Sequence, residues 1–117
     1  MDATLKPRDT RDTCEAVKWA AAEHHPLEII GQGSKRALGR PVQTAHVLDM
    51  SGVSGVEIYE PAELVLTVRA GTPIAEIEAL VADNGQELSF EPMDYGPLLG
   101  DAAGKGTVGG VIGANLA

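Results

Sequence analysis

The chain has 117 residues and a mass of 12.2 kDa, room for one hydrophobic core and not for two. Its 44% hydrophobic content excludes a disordered composition, and a net charge of −8 argues against nucleic-acid binding through the overall field. A single cysteine, Cys14, excludes an internal disulfide framework and a cysteine-rich zinc site, and no apolar run approaches a bilayer span or a signal-peptide core, so a cytoplasmic setting is expected.

In chain order, residues 10–25 are predicted helical, with Asp12 and Glu15 as a capping box, an apolar stripe of Val17, Ala20 and Ala21, and Pro26 as the stop. Cys14 falls on the expected inner face and Trp19 is read as packing. A short strand over Leu27 to Ile30 runs into Gly31-Gln-Gly-Ser-Lys35, and His46 to Met50 forms a second strand ending in a Ser51-Gly52 turn. Val56 to Tyr59 and Leu64 to Arg69 read as a hairpin around Glu60-Pro61-Ala62-Glu63, with Leu64, Leu66 and Val68 on one face. Thr72 and Pro73 open a helix whose buried stripe is Ile74, Ile77, Leu80 and Val81, ended by Asn84-Gly85. Leu88 to Phe90 is a further strand candidate, residues 91–106 are irregular, and Thr107 begins a glycine turn leading into a helix near Val111. The class is α+β, an α/β-type half with a small mixed or parallel sheet and flanking helices.

Fourteen glycines are unevenly placed: seven lie in the last 22 residues, and Gly31, Gly33 and Gly39 fall within nine. The first segment, and the second after Asp101, lack acids. Between Glu28 and Asp49 the only charges are Lys35, Arg36 and Arg40, and after Asp101 the only one is Lys105. Glycine allows backbone N–H groups to approach a ligand, and missing carboxylates leave that approach open to an anion. Two phosphate-loop templates fail. A dinucleotide fingerprint needs glycine where Arg36 stands, and the Walker A spacing is broken by Gly106 between Lys105 and Thr107.

A third template fits. The strand at Leu27 with Gly31-Gln-Gly-Ser-Lys35, the strand at Val47, Val65-Leu-Thr-Val-Arg-Ala-Gly-Thr72, the helix to Asn84 and Gly106-Thr-Val-Gly-Gly110 follow in the required order. This series resembles the FAD-binding (PCMH-type) domain of the vanillyl-alcohol oxidase superfamily. Leu27 to Pro41, Tyr59-Glu-Pro-Ala-Glu-Leu64 and Phe90 to Gly100 are similar, within it, to the FAD-binding subunits of three-part bacterial glycolate oxidases.

The resemblance implies that Gly31, Gln32, Gly33, Ser34 and Lys35 wrap the FAD pyrophosphate and that Gly106, Thr107, Gly109 and Gly110 lie along the cofactor, with Pro92 near the flavin. It implies non-covalent FAD, since covalent members often carry a histidine where Ser34 and Lys35 stand. It further implies oxidation of a 2-hydroxy acid such as glycolate, with an FAD-containing catalytic subunit and an iron–sulfur subunit as partners, and a location peripheral to the inner membrane through them. Residues 1–117 would then be the N-terminal part of the domain, with the second subdomain and the cap domain beyond it, and an exposed half-fold would self-associate. No catalytic residue or metal ligand is assigned: His24 and His25 fit a helix C-terminus, and His46 reads as structural. The competing reading is a non-catalytic assembly module that keeps the fold without stable FAD.

Overall fold

The computed structural model describes residues 3–33, 46–91 and 106–114. Strands β1 (Ala3–Leu5), β2 (Leu27–Ile30) and β3 (His46–Asp49) form a parallel sheet in the order β1-β3-β2. Helix α1 (Thr10–Ala22) connects β1 to β2, as a parallel arrangement requires. Ala3 and Leu27 both pair with His46, and Ile30 pairs with Asp49, so β3 is the central strand. Its Leu48 is 2% exposed and its His46 is buried. β1 has no counterpart among the sequence expectations, because three residues carry no readable periodicity.

The rings of Trp19 and His25 pack on His46, with centroids 5.3 and 4.4 Å away. His46 is thus buried under two rings, and Trp19 packs against it while remaining 40% exposed. The cap and the buried face of α1 differ from expectation. Asp9 is the N-cap, accepting from the Asp12 amide at 2.8 Å, while the Asp12 carboxylate reaches back to the Arg8 amide at 3.3 Å. The capping residues therefore lie three positions earlier than Asp12 and Glu15 suggested. Ala20 is buried and Thr13 and Ala16 are half-buried, whereas Val17, Ala21 and Cys14 are exposed. The helix ends at Ala22, before Pro26 can act. His25 N–H donates to the Ala20 carbonyl and His24 N–H to that of Ala21, with His24 in the left-handed region at φ 55°. This is a Schellman closure built on histidine instead of glycine.

Strands β4 (Val56–Glu60) and β5 (Val65–Val68) form the expected antiparallel hairpin around a 3₁₀ turn at Pro61–Glu63. Helix α2 (Ile74–Asp83) buries Ile74, Ile77 and Val81, and Gly85 closes it with the same Schellman bonds, made by the amides of Gln86 and Gly85. The Gln86 side chain then ties the helix end to the hairpin, accepting from the Tyr59 hydroxyl and donating to the Pro61 carbonyl. Thr72 does not cap α2. It is fully buried, and its hydroxyl donates to the Arg69 carbonyl at 2.6 Å and accepts from the Gly55 amide at 3.0 Å, so it closes the turn after β5. Leu88 to Phe90 is not a strand: Leu88 and Phe90 are half-buried beside α2, and their alternation reflects that packing. Helix α3 (Val108–Gly113) begins three residues earlier than Val111, with Thr107 as its N-cap.

A left-handed non-glycine residue costs roughly 1 kcal/mol relative to glycine. His24→Gly is expected to raise unfolding stability by about 0.5–1 kcal/mol in urea melts, whereas Gly85→Ala should lower it by a similar amount.

Candidate functional site

The glycine segment after β2 meets the glycine segment that starts α3. A methyl group on Gly31 would lie 2.6 Å from Thr107 Oγ1 and 2.8 Å from its Cγ2, inside any real contact distance. Bare backbone at position 31 is thus a condition for the two segments to touch. Thr107 is only 4% exposed, and its Oγ1 accepts from the Gly110 amide at 3.3 Å.

The position of Thr107 is fixed from the other side by the turn that follows β5. Thr107 forms an antiparallel bridge with Pro73. The Ile74 amide donates to the Gly106 carbonyl at 2.9 Å, and Val108 N–H donates to the Thr72 carbonyl at 2.9 Å. Gly109 N–H reaches the Ala70 carbonyl at 2.8 Å, so close that a Cβ on Gly109 would sit 2.8 Å from that oxygen.

Gly31, Thr107, Gly109 and Gly110 line one cavity of about 380 Å³, whose remaining wall is largely apolar: Ile30, Leu48, Met50, Ala70 and the exposed Val17 of α1. No acidic side chain is among its described lining residues. The nearest strand-end carboxylate, Asp49, is turned to the Ser51 amide at 2.9 Å. Burial pushes the Asp49 carboxyl up, but the hydrogen bonds from Ser51 and the charge of Lys6 outweigh this and hold it below its ordinary value.

The amides near the cavity divide into two groups. Those of Val108, Gly109, Gly110 and Val111 all find acceptors within the protein. Those of Gln32 and Gly33 donate to no other described residue, and Gly33 takes a left-handed φ of 73° that bends the chain there. The residues therefore fit an anionic group bound by the amides of Gln32 and Gly33, alongside an apolar body in the cavity.

Of the residues singled out in the sequence, Gly31, Thr107, Gly109 and Gly110 come together, Gln32 and Gly33 follow directly from Gly31, and Gly106 sits behind Thr107 with its carbonyl on α2. Ser34, Lys35 and Pro92 lie outside the described residues. Val17, Met50 and Ala70 were not foreseen as lining. Ala70 had a signal, because it opens the Ala-Gly-Thr run that precedes α2.

The family model described as the FAD binding domain matches residues 1–117, and the chain belongs to that family, with FAD as its cofactor. Glycolate oxidase subunit GlcE of Escherichia coli (strain K12) is 42% identical over 103 residues, which cover 88% of this chain and 27% of that protein. The chain thus spans about a quarter of the length of this curated relative.

Alanine at two glycines should separate contact from looseness. Gly109→Ala is expected to destabilise by about 1–3 kcal/mol through collision with the Ala70 carbonyl. Gly106→Ala, where no atom of a described residue lies within 4 Å of the added methyl, should stay within about 0.5 kcal/mol in the same thermal or urea melts.

Proposed function

We propose that this chain is the FAD-binding part of an oxidoreductase subunit resembling glycolate oxidase. The observation that carries the reading is the contact of Gly31 with Thr107, which joins two acid-free glycine segments at the edge of one apolar cavity. The Gln32 and Gly33 amides, with Gly31, cradle the pyrophosphate, and the Ser34 hydroxyl and the Lys35 charge complete that set. Thr107, Gly109 and Gly110 support the cofactor from α3, with Gly106 fixing the segment and Pro92 near the flavin. The donors on this side are backbone groups, so binding depends on chain geometry more than on any one side chain.

FAD supplies a hydride acceptor for a 2-hydroxy acid such as glycolate. The role of this chain is to bind and orient; no general base is assigned to it. The relative's name, a subunit of glycolate oxidase, supports assembly into a multi-subunit complex. The partners we propose are an FAD-containing catalytic subunit and an iron–sulfur subunit, with a location peripheral to the inner membrane through them. No helix among the described residues is long and apolar enough to cross a membrane. Residues 1–117 are read as the N-terminal part of the FAD domain, with a second subdomain and a cap domain completing the whole protein.

Purified protein titrated with FAD should develop a stoichiometric visible flavin spectrum, and the flavin should leave the polypeptide on denaturation, as seen by mass spectrometry. Gly33→Val should weaken binding at least about tenfold, because a β-branched residue is strained at that φ. No flavin band at high FAD would instead support the non-catalytic assembly module. Flavin retained on the unfolded chain would contradict non-covalent binding.

A further inference from the structure

The charges of this protein are unevenly distributed along the chain. Residues 70–104 contain seven Asp and Glu and no Lys or Arg, nearly the whole net charge of −8 in under a third of the chain. Within the described part of this stretch, the C-terminal half of α2 and the returning segment 86–91 enclose a groove of about 600 Å³. Val81, Leu88 and Phe90 form its apolar part, and Glu78, Glu87 and Glu91 supply carboxylates to its lining. The ion pairs among the described residues are elsewhere, Arg8 with Asp12 and Arg69 with Glu57, so none of these three carboxylates is neutralised by a described side chain.

We propose that this groove docks a basic amphipathic segment of a partner protein, its apolar residues against Leu88 and Phe90 and its Lys or Arg side chains on Glu78, Glu87 and Glu91. Charge complementarity selects this occupant. Uncompensated carboxylates around apolar surface reject an acidic or purely apolar ligand and reward one that is apolar on one stripe and cationic beside it. A metal ion does not fit, because no group of three metal-ligating side chains converges among the described residues. The groove shares no lining residue with the cavity at Gly31 and Thr107, so the proposal does not depend on the flavin reading.

The test uses the 117-residue chain and a labelled synthetic helix of about 14 residues, with leucines spaced i, i+4, i+7 and lysines flanking that stripe. Fluorescence anisotropy should show saturable binding that weakens as salt rises through the range where the Debye length falls below about 8 Å. The triple variant Glu78→Gln, Glu87→Gln, Glu91→Gln should bind roughly tenfold more weakly. The charge-matched control Glu23→Gln, Glu60→Gln, Glu63→Gln, at exposed positions elsewhere, should bind as the parent does. Both triples alter exposed side chains, and circular dichroism confirms that each is folded. A peptide with serine in place of leucine should bind at least tenfold more weakly than the parent peptide. Equal loss in both triples, equal binding of the serine peptide, or no binding of the parent peptide would each overturn the proposal.

Discussion

Two backbone hydrogen bonds, from Val108 to the Thr72 carbonyl and from Gly109 to that of Ala70, are the constraint on which the site depends. Helix α3 has six residues, three of them glycine, and each helical glycine costs about 1 kcal/mol relative to alanine. A helix that short does not persist in water on its own. It forms here because its first amides are taken up by the turn between β5 and α2, and because Val111 is buried at 2% exposure. The same turn is held in place by Thr72, whose buried hydroxyl links Arg69 to Gly55. The body of the protein, more than local propensity, therefore sets where Thr107 stands and where Gly31 must pass.

This arrangement has an electrostatic consequence. An N-terminal helix amide already bonded to a protein carbonyl is not available to an anion, so α3 contributes to the cleft mainly as a wall. The amides after β2 are differently placed: among the described residues, those of Gln32 and Gly33 have no acceptor and no carboxylate lines the cavity beside them. Along the chain, uncompensated acidity is instead concentrated in residues 70–104, which carry seven Asp and Glu and no Lys or Arg. One chain thus carries a glycine cleft with no carboxylate among its described lining residues and a groove edged by Glu78, Glu87 and Glu91, although its average composition is simply that of an acidic protein.

The sequence made parts of this legible because they follow from local chemistry. Ile74, Ile77 and Val81 repeat with helical spacing, Gly85 ends α2, and the Pro61 turn pairs β4 with β5. The two glycine segments stood out by composition, although their contact did not, since residues 31 and 107 are joined only through the tertiary position of Ala70 and Thr72. Other features were misread for identifiable reasons. Thr72 beside Pro73 looks like a helix cap, yet its hydroxyl is drawn to Arg69 and Gly55. Pro26 looks like a helix stop, yet His24 takes the left-handed conformation first. Leu88 and Phe90 alternate as in a strand, but they lie against α2. The exposure of Cys14 follows from the side of α1 that Thr13, Ala16 and Ala20 turn inward, a face of small and polar residues that the apolar pattern of Val17, Ala20 and Ala21 does not announce.

The central claim is that Gly31 lies against the Thr107 side chain, and a double-mutant cycle tests it most directly. Gly31→Ala, Thr107→Ala and the combined variant would be compared for unfolding free energy and for FAD affinity. Removing Oγ1 and Cγ2 from residue 107 clears the space that a methyl at residue 31 needs, so the penalty of Gly31→Ala should shrink by at least about 1 kcal/mol in the Thr107→Ala background. Penalties that add to within about 0.5 kcal/mol would mean the two residues do not touch, and would contradict the account.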